Sequence, residues 1–359
     1  MINLLLFIAG LAALVIGAEM LVRGASRMAL ALGISPLVVG LTIVAVGTSS
    51  PEVAVSVGAV INGQTDIAVG NVVGSNIFNV LFILGASAVI VPLLVNAQIV
   101  RQEVPIMIGA SLLLLSFGLD GRISRFDAGF LIVLLIAYIV FLVVQSRRQQ
   151  QTARDELAPF EAQAVSGKGS MPVQLGLIVA GLALLAFGSD WLVEASVAFA
   201  KALGVSDLII GLTIVAAGTS MPEVATSIMA AIRKERDIAI GNVVGSNVFN
   251  ILGCLGIAGL VSADGLTLPP SLLNFDLWVM LAVAVACLPV FVAGHSIARW
   301  EGGLFLFYYV AYTAYLILAA QDHDALDEYS HMMLGFVIPL TIVTLVVSVS
   351  RAPAPRRVE

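Results

Sequence analysis

Residues 40–56 read GLTIVAVGTSSPEVAVS, and residues 211–227 read GLTIVAAGTSMPEVATS. The likeness continues downstream, where DIAVGNVVGSNIFNVL at 66–81 is answered by DIAIGNVVGSNVFNIL at 237–252. Between 33–85 and 204–256 the offset is a constant 171 without a gap, and 34 of the 53 positions are identical. Weaker matching reaches back to Gly17 and Gly188. The chain is an internal duplication.

Both copies lie in an apolar chain. Of its 359 residues 60% are hydrophobic and 11% charged, with a mean hydropathy of +1.06. So little charge cannot cover a water-exposed surface, so lipid must be the main solvent. The charges are bunched, and the stretches between them run roughly 18 to 25 residues, enough for a helix to cross about 30 Å of hydrocarbon. Eleven such stretches centre near Leu11, Gly47, Phe78, Leu112, Leu134, Leu182, Gly218, Leu252, Ala284, Ala311 and Ile342. The first has no basic n-region and no A-x-A site before Glu19, so it is expected to stay as a helix and not to act as a signal peptide. The net charge of −6 says little about partners in such a chain.

With the N-terminus outside, 14 of the 17 Lys and Arg residues fall in inside segments, and only Arg122, Arg125 and Lys201 fall outside. The positive-inside rule favours that orientation. The two copies are five spans apart, an odd number, so equivalent helices cross in opposite directions. The expected fold class is therefore an all-α membrane protein of two inverted five-helix repeats with an eleventh, C-terminal transmembrane helix. Residues 1–146 form the first repeat, 147–171 a cytoplasmic linker and 172–320 the second repeat. Residues 321–359 hold an acidic outer loop, the extra helix and a basic cytoplasmic tail.

Glu52 and Glu223 fall in the middle of apolar spans, and no Lys or Arg lies in either repeat core. An intramembrane carboxylate costs at least about 2.5 kcal/mol, so its charge must be met by protons or bound cations. Each follows a proline, Pro51 or Pro222, which leaves the carbonyl of Gly47 or Gly218 without its helical donor. A broken helix at membrane depth is tolerated where it lines a cavity, and freed carbonyls suit hard cations. Thr48 and Glu52, like Thr219 and Glu223, are four residues apart and share a helix face, continued by Ser56 and Ser227. The next span carries Asn71, Ser75 and Asn79, matched by Asn242, Ser246 and Asn250, a seam recurring every four residues. Gly70, Gly74, Gly241 and Gly245 flank that seam and would let helices approach closely.

Facing each other, the two halves would offer carboxylates, hydroxyls, amides and freed carbonyls, with no sulfur and no imidazole. All-oxygen coordination suits Ca2+, with Na+ at neighbouring positions. Cys254 and Cys287 lie in apolar segments without the spacing of a zinc site, and the three histidines fall near span ends or in loops. Nothing resembles a nucleophile–base pair or a nucleotide loop, so no enzymatic activity and no cofactor are expected. Glu19 has Arg23 one turn later as an ion-pair partner, and Asp190 and Glu194 are expected to be solvated near the outer face.

The GTSSPE and GTSMPE segments, with GNVVGSNIFN and GNVVGSNVFN, resemble the paired alpha repeats of the sodium/calcium exchanger family, within the cation/Ca2+ antiporter superfamily. The resemblance covers roughly residues 1–320 and implies ten core helices. By motif position it implies a Ca2+ site of the Glu52 and Glu223 carboxylates with the backbone carbonyls of Thr48 and Thr219. Flanking Na+ sites would use the Ala45 carbonyl with Ser75, and the Ala216 carbonyl with Ser246. Asn79 and Asn250 would line the centre, with Ser49 and Ser220 nearby. It further implies that the first and sixth spans slide across the core. The chain departs from some relatives in having Asn at both 79 and 250, leaving two core charges instead of three, and in having Met221 where the first copy has Ser50. The expected function is Na+/Ca2+ antiport by alternating access in a prokaryotic inner membrane, with the N-terminus outside and the C-terminus cytoplasmic. The alternatives are a proton-coupled divalent cation antiporter, a cation channel using the two Glu as a filter, or a non-transporting scaffold.

Overall fold

The computed structural model describes residues 2–157, 171–204, 214, 216–321 and 323–351. The described chain is almost wholly helical. In the first half α1 spans Ile2–Leu32, α2 Pro36–Thr48, α3 Ser50–Ile61, α4 Thr65–Ile90, α5 Ile99–Gly118 and α6 Arg125–Leu157. In the second half α7 spans Met171–Ala202, α8 Met221–Ile232, α9 Arg236–Val261, α10 Leu272–Val292 and α11 Arg299–Ala320, followed by α12, Ala325–Val347.

Nine of these helices are long and apolar enough to cross a membrane, and α2 with α3 makes a tenth span bent by 42°. The seventh expected span, centred near Gly218, is represented by Ala216–Gly218 and α8; residues 205–213 and 215 lie outside the described residues. The helix α6 runs on through the expected start of the linker to Leu157. The linker's 158–170 and the basic tail from 352 lie outside the described residues.

The bend between α2 and α3 has a local cause. Pro51 sits in the first turn of α3 and cannot donate to the preceding turn, and Ser49 leaves helical geometry at φ −83, ψ 10. Ser220 takes nearly the same backbone, φ −88 and ψ 9, ahead of Pro222. The duplicated sequence therefore breaks its helix in the same way twice.

Helices α1 and α7 pack antiparallel, with Gly10 beside Gly188 and Gly17 beside Gly181. A Cβ on Gly17 would sit 2.8 Å from the Gly181 carbonyl oxygen, so this backbone-to-backbone approach admits only glycine. Gly241 and Gly245 of α9 make similar approaches to Leu37 and Leu41 of α2. For Gly70 and Gly74 the counterpart residues Leu208 and Leu212 lie outside the described residues.

Two short bridges tie the halves symmetrically. β1, Leu93–Leu94, pairs antiparallel with β4, Ser296–Ile297, and β2, Arg122–Ile123, pairs with β3, Leu266–Thr267. Helices α4 and α9 are the most deeply buried spans, and each widens into a π-helical turn at Asn79–Leu84 and Asn250–Cys254. Such turns are frequent at functional sites. Here they begin on two of the asparagines singled out above.

Candidate cation site

The broken helices place Glu52 and Glu223 in the centre of the bundle, each only 1% exposed. They are joined across the repeat boundary. Ser49 Oγ donates to Glu223 Oε1 at 2.9 Å, and Ser220 Oγ donates to Glu52 Oε1 at 2.9 Å. Thr48 lies beside Glu223 and Thr219 beside Glu52. Each carboxylate is thus approached by the Thr-Ser pair of the other half. Ser75 of α4 joins the cluster with its Oγ 3.3 Å from Ser220 Oγ.

Amides hold the broken helices against their neighbours. Asn71 Nδ2 donates to the Glu52 carbonyl at 3.2 Å and to Ser56 Oγ at 3.1 Å. In the second half Asn242 Nδ2 donates to Ser227 Oγ at 3.0 Å, while its Oδ1 accepts from the Thr48 hydroxyl at 3.1 Å. Where α4 crosses α9, Asn79 Nδ2 donates to Asn247 Oδ1 at 2.9 Å and Asn250 Nδ2 donates to Asn76 Oδ1 at 3.1 Å.

Five side-chain oxygens of the expected site residues are buried and take part in no hydrogen bond among the described residues: Glu52 Oε2, Glu223 Oε2, Asn79 Oδ1, Ser246 Oγ and, on a residue expected to ligate through its carbonyl, Thr219 Oγ1. Buried oxygens are normally paired, so five unpaired ones among these residues fit a dehydrated hard cation as their partner. The Ala45 carbonyl accepts from Ser49 N at 3.0 Å. The Ala216 side chain lies outside the described residues.

No basic side chain contacts either carboxylate among the described residues. The described ion pairs join Glu19 of α1 to Arg23 and to Arg233 at the end of α8. The pairing with Arg23 follows the sequence spacing; that with Arg233, from the other half, does not show in it.

One expectation changes, and two gain detail. The Gly218 carbonyl freed by Pro222 is not free: Ser189 Oγ of α7 donates to it at 2.6 Å. Sulfur is not absent from the site's surroundings, because Cys254 Sγ, one turn after Asn250, lies 3.6 Å from Asn250 Oδ1. Asp190 and Glu194 are exposed, but they line a cavity of about 650 Å³ that also touches Gly47, Thr48, Gly218 and Thr219.

Sequence reasoning also missed two acid–tyrosine pairs. Tyr138 of α6 donates to Glu103 Oε2 at 2.8 Å, and Gln98 and Gln102 donate to its Oε1 at 2.9 and 2.7 Å. Tyr312 of α11 donates to Asp276 Oδ1 at 2.8 Å. Each acid ends a π-helical turn, Ile99–Glu103 or Leu272–Asp276, so the motif is repeated too. A signal existed in the shared acid at the head of an apolar span.

A helical membrane bundle whose halves converge two uncompensated carboxylates among unpaired oxygens has the construction of a cation transporter. The family model described as sodium/calcium exchanger protein matches residues 2–145 and 173–318. Sodium/calcium exchanger MaX1 of Methanosarcina acetivorans is 34% identical over 346 residues, 88% of this chain and 98% of that protein. Inner membrane protein YrbG of Escherichia coli is 36% identical over 213 residues, 59% of this chain and 65% of its own length. A solved structure of the sodium-calcium exchanger NCX_Mj, soaked with Na+ and Ca2+, matches at TM-score 0.74 with 30% identity, covering 88% of this chain and 98% of that one. The chain belongs to the sodium/calcium exchanger family.

Proposed function

We propose that this protein is a secondary active antiporter that exchanges Na+ for Ca2+ by alternating access. The observation that carries the proposal is the crossed pair Ser49–Glu223 and Ser220–Glu52, buried and without a basic partner among the described residues. Two carboxylates balance one divalent cation or two monovalent ones, so either cargo discharges the same desolvation cost. Competition for one set of charges is what makes exchange obligatory.

Ca2+ would take Glu52, Glu223 and the carbonyls of Thr48 and Thr219. Na+ would take Ser75 with the Ala45 carbonyl and Ser246 with the Ala216 carbonyl, while Asn79, Asn250, Ser49 and Ser220 complete the centre. The unpaired oxygens of Glu52, Glu223, Asn79 and Ser246 support this division. The distribution of Lys and Arg supports an N-terminus outside and a C-terminus in the cytoplasm of a prokaryotic cell.

Purified protein in Na+-loaded vesicles tests the proposal through radiocalcium uptake. An outward Na+ gradient is expected to drive uptake, and its collapse to stop it. Uptake driven only by a pH gradient would replace sodium coupling with proton coupling. Passive uptake at channel rates would overturn exchange altogether.

A further inference from the structure

The two halves are not equal where the long helices α1 and α7 meet the broken ones. In the second half Ser189 Oγ, on a side chain 5% exposed, donates to the Gly218 carbonyl at 2.6 Å. Pro222 has no N–H for that carbonyl, so the serine replaces the missing helical donor. The repeat offset of 171 sets Ala18 against Ser189 and Gly47 against Gly218. Pro51 strips the Gly47 carbonyl in the same way, yet Ala18 has no hydroxyl to offer. One long helix is fastened to the site's backbone, and the other carries no equivalent group.

The fastening sits at a moving part if the protein alternates. Ser189 and Gly218 both line the 650 Å³ cavity between α7 and the broken helices, so shifting α7 along them changes that opening. On the α1 side Val22, the counterpart of the cavity-lining Val193, is 1% exposed. Val22 is buried where Val193 lines an opening.

We propose that Ser189 is a positioning residue that favours the state with the α7 cavity open, by holding the Gly218 carbonyl next to Thr219. The proposal rests on the alternating-access reading above. It makes the energies of the two facing states unequal by one hydrogen bond, supplied by a side chain whose symmetry mate cannot supply it.

The test adds one cysteine, by Val193→Cys or by Val22→Cys, to the full chain in vesicles, the buried Cys254 and Cys287 being left in place. The modification rates of the two added cysteines by a membrane-impermeant thiol reagent, added from the appropriate side, are taken as a ratio that follows the two facing populations. Ser189→Ala is expected to lower the Val193-to-Val22 ratio about fivefold, the factor equivalent to about 1 kcal/mol. Ser189→Thr, which keeps the hydroxyl, is expected to restore it. Ala18→Ser gives Gly47 the same donor on the opposite face and is expected to lower the ratio as well. An unchanged ratio in Ser189→Ala and Ala18→Ser, with sodium-driven calcium uptake intact, would overturn the positioning role alone. A ratio that responds as stated, in a protein showing no sodium-driven uptake, would overturn the exchange reading and leave the positioning role standing.

Discussion

Ser49 of the first half donates a hydrogen bond to Glu223 of the second at 2.9 Å, and the reverse bond, Ser220 to Glu52, has the same length. Neither carboxylate is positioned by a hydroxyl of its own repeat's Thr-Ser pair. A site wired in this way exists only when the halves are docked, and a shift of one half disturbs both acids together.

Removing one of these hydroxyls therefore acts on the other half's acid. Ser49→Ala and Ser220→Ala are each expected to weaken apparent calcium affinity about tenfold to a hundredfold, since hydrogen bonds to charged groups contribute about 1.5–3 kcal/mol. Calcium dependence of sodium-driven uptake measures this. Ser49→Ala should change little once Glu223 is already Gln, and an additive effect would dissociate the pair.

Protons compete with cations for the same carboxylates. A protonated carboxyl has lost the charge that holds calcium, so apparent calcium affinity is expected to fall as pH falls on both sides of the membrane. Uptake measured across a calcium series at several equal inside and outside pH values gives the sign. Affinity rising on acidification would contradict it.

Arg233 reaches Glu19 from the opposite half and, with Arg23, neutralises it. The repeat counterparts of Glu19, Arg23 and Arg233 are Asp190, Glu194 and Asn62, which cannot form such a network. Glu19→Gln is expected to loosen α1 from α8 and raise the reactivity of a cysteine at Val22. An exposed ion pair contributes about 1 kcal/mol at most, so the rise is expected to stay within about fivefold. No rise would show that the pair does not restrain this face.

The repeat, the helix breaks and both acids were legible in the sequence because each is a local property. Pro51 and Pro222 break their own helices, and Glu52 and Glu223 are anomalous in any apolar span. Partnership between distant helices was not legible. Periodicity places Ser49 on a face but not opposite Glu223, and Ser189 reads as one more small residue until α7 is laid against Gly218. Glu103 and Asp276 do not stand out in the sequence because they lie at the heads of their spans, where an acid is ordinarily solvated; packing beside Tyr138 buries Glu103, and packing beside Tyr312 half-buries Asp276.

The central claim is that Glu52 and Glu223 hold one calcium ion jointly. Calorimetric titration of calcium into purified protein, wild type against Glu52→Gln and Glu223→Gln, tests it most directly, with circular dichroism to verify that each variant stays helical. Either substitution alone is expected to lower affinity at least about a hundredfold, as loss of one buried charged partner costs about 3 kcal/mol or more. Wild-type calcium affinity in either folded variant would contradict the account.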